Sequence, residues 1–447
     1  MNGSKTYFRG LIGKGRRIAK RAINKSGKDT PSLNELKADC LSLLSARGQA
    51  SGIKVAKKIH SDYIKCSENE KEEFFRFLLT EFGRSKDGLV TAGASYSENP
   101  SHKNLENLMR EMEPKRQELF KRMNMAPGGT MALVDMRTDL LKLLKVSPDF
   151  KPVDMDFLFL FKTWFNRGFL TMEPITWKSP AVILERLIAY EAVHEITSWE
   201  DLKRRLDPPD RLCYAFFHPN LADTPLIFVE VALSKEIPGS IQDILAPERT
   251  FLEPDKARVA TFYSINNCLS GLKGIYFGNF LIKQVVANLQ LTHPDLKSFV
   301  TLSPIPGFKK WLLQENCAER LGFSRSDMDM LETMTWYEDS KLRKSLDKPL
   351  RSAALAYLTS RQPDSHRLYD SVARFHLGNG ARIENIHFLA DTSDRGMANS
   401  YGLMVNYLYI LKHIETNHEA FAVRHEIALS GPMNSLKSKT DKAHTAI

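Results

Sequence analysis

Hydrophobic residues recur at helical spacing through the first third of the chain. Up to about residue 160 the apolar positions fall three or four residues apart, as they do on one face of an amphipathic helix. One helix is predicted to follow a Ser32-x-x-Glu35 capping box and another to follow a Ser67-x-x-Glu70 box. These patterns predict a bundle of antiparallel helices, which we place at residues 29–163.

Charge and a chain break predict two later helices of this bundle. Residues 104–122 carry many charges and are predicted to form one charged helix. The Pro-Gly-Gly sequence at 127–129 should end it, and a Leu-rich helix is predicted over 131–146.

The pattern changes near Trp164, where short runs rich in β-branched and aromatic residues begin. Two of these runs, separated by a polar turn, predict a β-hairpin. A helix between two later strands, preceded by a glycine-rich loop, gives an order that is typical of phosphate-binding βαβ units. The strands are predicted at 212–217, 225–233, 258–265, 298–302 and 383–389, and the helix at 279–291. The predicted fold class is therefore α+β, with a mixed α/β domain over residues 164–447.

Composition and charge exclude several classes of protein. The chain has 447 residues, of which 43% are hydrophobic, and this is ordinary for a globular protein of two or three domains. It lacks an apolar run of the ~20 residues that a membrane helix needs. Five cysteines without CxxC spacing argue against a disulfide scaffold or a Cys-rich zinc site, and favour a reducing compartment.

The positive charge is concentrated at the N-terminus. The net charge is +10, but residues 1–28 contain nine Lys and Arg residues and no acidic residue, so the remainder is close to neutral. The charge therefore does not indicate a nucleic-acid partner. Residues 1–28 have the pattern of a basic amphipathic helix, which suits an anionic membrane surface or an organelle transit peptide, or they are simply a frayed basic terminus.

The glycine-rich loop is the first candidate for ligand binding. Gly271, Gly274 and Gly278 lie between a predicted strand and a predicted helix, and Lys273 adds a positive charge. Glycines let backbone N–H groups close on an anion, and a helix N-terminus favours negative charge. The sequence is neither a Walker loop nor GxGxxG. It predicts either a phosphate or pyrophosphate site or a turn without a ligand.

Three side chains are candidates for acid–base chemistry. Ser303 follows a strand and opens a Pro-rich loop, where it is either a reactive hydroxyl or a turn residue. His376 precedes an Asn-Gly turn and could act as a general acid or base near neutral pH, or simply satisfy a local hydrogen bond. Tyr409 could donate a hydrogen bond in a pocket or form an aromatic packing contact. No His, Asp and Glu spacing indicates a metal site.

Taken together, these segments resemble the malonyl-CoA decarboxylase family. The sequences LSPIPGF at 302–308 and FHLGNGA at 375–381 are the most specific. The resemblance implies a helical oligomerisation domain followed by a GNAT-like (acyl-CoA N-acyltransferase-type) catalytic domain. It also implies conversion of malonyl-CoA to acetyl-CoA and CO₂ without a metal or organic cofactor. The matching stretches occur in family order at 164–177, 190–194, 199–205, 262–265, 271–283, 302–312, 375–381 and 395–409.

The resemblance also implies roles for individual residues. Ser303 and His376 match the catalytic serine and histidine, and Tyr409 matches an active-site tyrosine. Tyr276 stands where the family carries an active-site glutamate, and Glu230 is the residue that could replace that carboxylate. The glycine loop matches the CoA-binding segment, with Gly271, Lys273, Gly274, Ile275, Tyr276, Phe277, Gly278 and Asn279 as its candidate residues.

The function that follows from the resemblance is decarboxylation through a Ser303–His376 dyad, with an enolate-type intermediate that is then protonated. The alternative is an acyl-CoA-dependent acyltransferase on the same fold, because a fold does not fix a function. A third possibility is a CoA-binding protein without enzymatic activity. We expect a homo-oligomer without nucleic-acid partners or integral membrane association. We expect it in the bacterial cytoplasm, with the mitochondrial matrix as the alternative.

Overall fold

The computed structural model describes residues 33–45, 48–221, 223–275, 280–333, 335–365 and 367–437, which form two compact units. The first unit contains the described residues up to Thr171 and two short segments that begin at Phe217 and Leu269. The second contains the remaining described residues. Within these ranges no helix is long and apolar enough to cross a membrane. The basic segment 1–28 and Ser32 of the first capping box lie outside them.

The first unit is helical, as the spacing of its apolar residues predicts. Neighbouring helices pack against one another around a shared apolar core. The helices are α1 (Leu33–Ser45), α2 (Gln49–Lys65), α3 (Glu68–Glu81), α4 (Lys86–Glu98), α5 (His102–Met112), α6 (Lys115–Asn124), α7 (Gly129–Leu143) and α8 (Lys151–Trp164).

The second capping box forms as predicted. Ser67 is the N-cap of α3, and its hydroxyl accepts a hydrogen bond from the Glu70 backbone N–H. The Glu70 carboxylate in turn accepts from the Ser67 backbone N–H at 2.7 Å. Two N–H groups that the first turn of a helix leaves without partners are thereby satisfied.

The single charged helix predicted over 104–122 is wrong, because two helices occupy this stretch. Helix α5 ends at Met112, Glu113 is extended, and α6 begins after Pro114. The proline has no N–H group to donate, and its ring disfavours helical geometry at Glu113. A run of charged residues on both sides hides this break, because their pattern alone is compatible with a continuous helix.

Aromatic rings and buried ion pairs fill the core of the first unit. Phe120 and Phe157 stack with ring centroids 4.2 Å apart. Arg116 pairs with Asp156 at 2.7 Å, and both side chains are almost fully buried. Buried charges are tolerated only when they are paired, so the phase of these helices is fixed by polar partners as well as by apolar packing.

His60 in this unit should make stability fall at acid pH. Its Nε2 atom has no hydrogen-bond partner among the described residues, and burial lowers its pKa to about 4. An unfolded histidine takes up a proton below about pH 6.5, whereas the folded protein resists protonation until about pH 4. The stabilising contribution of neutral His60 is therefore complete above about pH 6.5 and is lost as the pH falls.

Replacing His60 by glutamine should remove this contribution. The loss of unfolding free energy between about pH 7.5 and pH 5 should then be smaller than in the wild type by about 2 kcal/mol. Urea unfolding of the full chain at both pH values measures it. Exposed His102 is the matched control, because His102→Gln should leave the pH dependence as it is in the wild type. An unchanged pH dependence in His60→Gln would contradict the assignment.

An eight-stranded mixed sheet organises the second unit. The strand order is β1-β2-β3-β4-β5-β8-β6, and β7 also pairs with β8. The predicted hairpin is confirmed by the antiparallel pairing of β2 with β3, and β4 and β5 are parallel as the βαβ order predicts. The strands are β1 (Thr171–Ile175), β2 (Arg211–Phe217), β3 (Ile227–Ser234), β4 (Val259–Asn267), β5 (Ser298–Thr301), β6 (Ser303–Pro304), β7 (Arg382–His387) and β8 (Met404–Tyr409).

Helices accompany this sheet along the chain. Helix α12, which joins β4 to β5, forms close to its predicted range. The helices are α9 (Ala181–Tyr190), α10 (Trp199–Leu206), α11 (Ile241–Leu245), α12 (Phe280–Thr292), α13 (Phe308–Leu312), α14 (Cys317–Arg320), α15 (Arg325–Glu332), α16 (Ser340–Thr359), α17 (Ser371–Gly378), α18 (Asp394–Ser400) and α19 (Ile414–Val423). The predicted class, a helical region followed by a mixed α/β domain, is confirmed.

Candidate active site

Ser303 lies directly after an interruption in a strand. Strands β5 and β6 pair with β8 in one continuous register, in which Ser303 is opposite Val405. Leu302 lies between them and donates its N–H to the Phe262 carbonyl of β4 at 3.0 Å. Ser303 and Pro304 therefore stay in the ladder with β8, and the loop that follows begins at Ile305.

The sheet opens beside Ser303. Strands β4 and β5 are parallel partners only as far as Phe262 and Thr301, whereas β4 continues to Asn267 with β3 alone as its partner. Two neighbouring strands thus separate immediately before Ser303. A hydroxyl at the start of such an opening can meet a molecule that enters between the strands.

A helix C-cap positions His376. Helix α17 ends in a Schellman motif, in which the Ala381 N–H donates to the His376 carbonyl and the Gly380 N–H donates to the Leu377 carbonyl. Gly380 has φ of +81°, and a Cβ there would lie 2.1 Å from the Ile414 carbonyl oxygen. Glycine is therefore required at this position, and the Asn-Gly turn signal in the sequence corresponds to this cap.

The two predicted catalytic side chains and the predicted tyrosine lie in one hydrogen-bonded chain. Ser303 Oγ is 3.3 Å from His376 Nε2, and the Tyr409 hydroxyl is 2.8 Å from His376 Nδ1. Ser303 Oγ also donates to Thr301 Oγ1 at 2.9 Å. The Tyr407 ring stacks on the imidazole with centroids 4.6 Å apart. These contacts fix the plane of the imidazole and occupy both of its nitrogens.

Burial keeps this chain of groups uncharged. Ser303, His376 and Tyr409 are only 6%, 2% and 3% exposed. Burial lowers the pKa of His376 to about 3 and raises the pKa of Tyr409 well above its usual value. Near neutral pH the site therefore contains a neutral imidazole between two hydroxyl groups. A neutral imidazole has one donor and one acceptor nitrogen, so a proton can move through it without a net charge.

Glu230 does not orient this pair. It is fully buried on β3, and one of its oxygens lies 3.4 Å from Arg205 Nη1. Both imidazole nitrogens of His376 already have partners, so no position remains for a carboxylate at the ring. Burial raises the pKa of the Glu230 carboxyl, and Arg205 opposes this shift. Tyr409 takes the place at Nδ1 that an orienting carboxylate would fill.

Other histidines have local roles. His218 Nε2 lies 3.1 Å from the Trp164 carbonyl, and His387 Nε2 contacts Asn406 Oδ1. His194 is buried with no partner for Nε2 among the described residues, and burial lowers its pKa to about 4. Within those residues no group of three or more His, Cys, Asp and Glu side chains is arranged to hold a metal ion.

The described part of the glycine loop, residues 271–275, belongs to the first unit, whereas Ser303, His376 and Tyr409 belong to the second. A Cβ at Gly271 would lie 2.0 Å from the Val134 carbonyl oxygen, and Gly274 has φ of +83°. Arg137 donates to the carbonyls of Gly271 and Lys273 at 2.5 and 2.8 Å. The fold of the first unit therefore accounts for glycine at both positions, without a ligand.

Part of the loop is already hydrogen-bonded. The N–H groups of Leu272, Lys273 and Ile275 donate to carbonyls of the same turns. An anion at this loop would depend on the exposed Lys273 and on N–H groups that remain. Tyr276, Phe277, Gly278 and Asn279 lie outside the described residues, and the CoA-binding role of the loop stays a prediction.

Sequence reasoning missed three residues that complete the site. Thr301 Oγ1 accepts from Ser303 and from the Tyr407 N–H at 3.3 Å, and Asn406 Nδ2 donates to the Thr301 carbonyl at 2.8 Å. The alternation Thr301-x-Ser303 in one strand and Tyr407-x-Tyr409 in another is the signal that could have found Thr301 and Tyr407, because residues two apart share a face.

Comparison with known proteins gives matches over most of the chain. Residues 82–165 match the family model of the malonyl-CoA decarboxylase N-terminal domain, and residues 168–446 match that of the C-terminal domain. A mitochondrial malonyl-CoA decarboxylase of Anser anser anser is 36% identical over 358 residues, which are 73% of this chain and 70% of that protein.

Solved structures of malonyl-CoA decarboxylases are also similar to this chain. The malonyl-CoA decarboxylase of Rhodopseudomonas palustris has a TM-score of 0.85 and 45% identity, and the match covers 91% of this chain and 100% of that one. That of Agrobacterium vitis has a TM-score of 0.84 and 47% identity, over 90% of this chain and 99% of that one.

Proposed function

The chain belongs to the malonyl-CoA decarboxylase family, and from this premise we propose that it converts malonyl-CoA to acetyl-CoA and CO₂ through a Ser303–His376 dyad. The proposed dyad is supported by the 3.3 Å contact between Ser303 Oγ and His376 Nε2 at the opening of the sheet. The chain of buried, uncharged groups around this contact supports a role in moving a proton.

The reaction makes three demands on the site. Loss of CO₂ leaves the electron pair of the broken C–C bond on a thioester enolate, whose oxygen needs hydrogen-bond donors. The leaving carboxylate must lie where water solvates it poorly. A proton must then be delivered to the α-carbon.

The described residues can meet these demands. The Ser303 hydroxyl contacts the malonyl carboxylate or the enolate oxygen and passes a proton between oxygen and imidazole. His376 supplies the proton to carbon, and Tyr409 forms the polar wall behind it. Their low exposure removes bulk water from the reacting carboxylate, which favours loss of CO₂. An acyl-serine intermediate is unnecessary, because the reaction transfers no acyl group.

CoA binding belongs to the same proposal. The opening between β4 and β6 offers an extended path beside Ser303 for the thioester arm. The resemblance separately implies that the exposed Lys273 of the first unit binds the CoA moiety. Association into a homo-oligomer remains a prediction from the family resemblance. Location in the bacterial cytoplasm remains a prediction from the sequence, with the mitochondrial matrix as the alternative.

One assay tests the proposed function directly. Purified protein with EDTA is given malonyl-CoA radiolabelled in its free carboxylate, and thioester products are separated by chromatography. We expect labelled CO₂ and acetyl-CoA in equal amounts without any acceptor. If malonyl-CoA stays intact until an amine or alcohol is added, and an acylated product then appears, the protein is an acyltransferase and the proposal is wrong.

A further inference from the structure

The proposed reaction consumes one proton inside a buried site, and this inference rests on that proposed function. The α-carbon gains a hydrogen when CO₂ leaves, so each turnover must bring in one proton. Ser303, His376 and Tyr409 are almost fully buried and cannot each exchange protons freely with bulk water. A path from solvent to His376 is therefore required.

The protonation state of His376 limits how its imidazole can donate a proton. Because burial lowers its pKa to about 3, the imidazole is neutral near pH 7. A neutral imidazole that gave up its Nε2 proton alone would become a buried anion, which is costly. It can give that proton without charge only if Nδ1 gains one in the same step. The hydroxyl of Tyr409, 2.8 Å from Nδ1, is the group in place to supply it.

Tyr409 also lines a groove that reaches solvent. The groove has a volume of about 250 Å³, and its walls are Ile282 and Val286 of α12 and Ile414 of α19. Its rim carries an ion pair between Lys283 and Glu415, whose side chains are 35% and 76% exposed. This volume admits several water molecules, since each occupies about 30 Å³ in the liquid.

We propose that Tyr409 relays a proton from water in this groove to His376, and through it to the substrate carbon. His376 begins with its proton on Nε2. As the C–H bond forms and the Nε2–H bond breaks, the Tyr409 O–H bond breaks and an Nδ1–H bond forms. In the same step groove water gives a proton to the Tyr409 oxygen, so no buried phenolate forms, and the resulting hydroxide is neutralised in bulk solvent. After acetyl-CoA leaves, water in the emptied site gives a proton to Nε2. Nδ1 returns its proton to the Tyr409 oxygen as the Tyr409 hydroxyl proton passes to groove water, and the hydroxide and hydronium so formed neutralise each other in bulk solvent.

Tyr409→Phe tests the relay, because it keeps the ring and removes the hydroxyl. We expect turnover to fall by about 10²-fold, the low end of what a proton-transferring group contributes, with KM for malonyl-CoA little changed. Tyr401→Phe is the matched control. Tyr401 is also buried, its hydroxyl has no partner among the described residues, and it lies outside the chain from Ser303 to Tyr409. Tyr401→Phe should therefore turn over at close to the wild-type rate.

A second readout separates a relay from a structural role. Turnover is run in equal parts of H₂O and D₂O, and the hydrogen isotopes in the acetyl group of the product are measured by mass spectrometry. Several protons move together in a relay, so the wild type should discriminate against deuterium more strongly than Tyr409→Phe. Wild-type turnover, or wild-type discrimination, in Tyr409→Phe overturns the relay.

Filling the groove tests the source of the proton. Val286→Phe should lower turnover and leave the dyad intact, whereas Leu291→Phe, at an exposed position of the same helix outside the groove, should not. Thermal unfolding confirms that both variants are folded. A folded Val286→Phe protein with wild-type turnover overturns the groove as the route. If the wild type itself releases no CO₂, the proposed function fails, and this outcome is distinct from a normal rate in Tyr409→Phe.

Discussion

Replacing His376 by alanine should lower the turnover of malonyl-CoA by about 10²–10⁴-fold, the range that a proton-transferring side chain contributes. His376 is the only one of the three hydrogen-bonded groups in contact with both of the others, so its removal separates Ser303 from Tyr409. The measurement is the initial rate of CO₂ release at saturating malonyl-CoA. KM should change little, because the loss concerns a proton transfer and not the binding of the CoA moiety.

His102→Ala provides the control for this variant, since His102 is exposed in the helical unit and belongs to no proposed site. Thermal unfolding of both proteins excludes a loss of fold as the cause. A folded His376→Ala protein that keeps more than about a tenth of the wild-type rate would remove His376 from the proton-transfer step.

Ser303→Ala extends the same prediction to the dyad. If Ser303 and His376 act in one step, each single replacement should cost nearly as much as both together, because groups that act as a unit are not additive. A double variant whose loss equals the product of the two single losses would mean that the residues act independently. The comparison thus tests the 3.3 Å contact as a functional link.

Local sequence signals predict the ends of elements better than their continuity. The Ser67 capping box and the Asn379-Gly380 turn both correspond to observed caps, because each depends on a few neighbouring residues. The break at Pro114 was missed, although the proline itself was visible in the sequence. The charged residues on both sides are compatible with one continuous helix, so the proline should take priority over the charge pattern.

Strand β8 was missed for a different reason. All six of its residues, Met404–Tyr409, are buried, so the alternation that identifies a half-exposed strand is absent. Yet β8 is the strand on which the site depends, since it pairs with β5, β6 and β7. A strand that is buried on both faces shows no alternation of apolar and polar residues. Its pairing also depends on residues far away in the chain.

The sequence predicts which residues form the site, but it does not predict how they are arranged. Ser303, His376 and Tyr409 were singled out from motifs and family resemblance, but no sequence pattern shows that residues 73 positions apart touch. That contact requires the register of β6 on β8 and the cap that ends α17. Tyr409 as the partner of His376 Nδ1 was likewise visible only in the structure, where it occupies the position considered for a carboxylate.

In helix α10, position around the helix axis decides whether an arginine side chain is exposed or buried. Arg204 and Arg205 are neighbours in the sequence, yet their side chains are 42% and 4% exposed. Arg205 donates to the carbonyls of His194 and Glu195 at 2.8 and 3.1 Å. It also lies 3.3 Å from Asp201 and 3.4 Å from the fully buried Glu230. The guanidinium is thus the positive centre of a buried polar cluster in the second unit.

Arg205→Met should destabilise the protein by about 3–5 kcal/mol, the cost of leaving a buried charge without its partner. Asp201 and Glu230 would then lose their shared cationic partner, and two backbone carbonyls would lose their donors. Urea unfolding of the full chain near neutral pH measures the change. Arg204→Met is the matched control, and its cost should stay below about 1 kcal/mol because an exposed ion pair contributes little.

A second replacement distinguishes the lost charge pair from lost packing. In Arg205→Met/Glu230→Leu no carboxylate remains unpaired on β3, so the double variant should be more stable than the sum of the two single losses predicts. Additive losses would mean that Glu230 and Arg205 are not coupled, and that the carbonyl contacts of Arg205 account for its effect. Coupling would instead identify the buried pair as the reason why an arginine faces inward on α10.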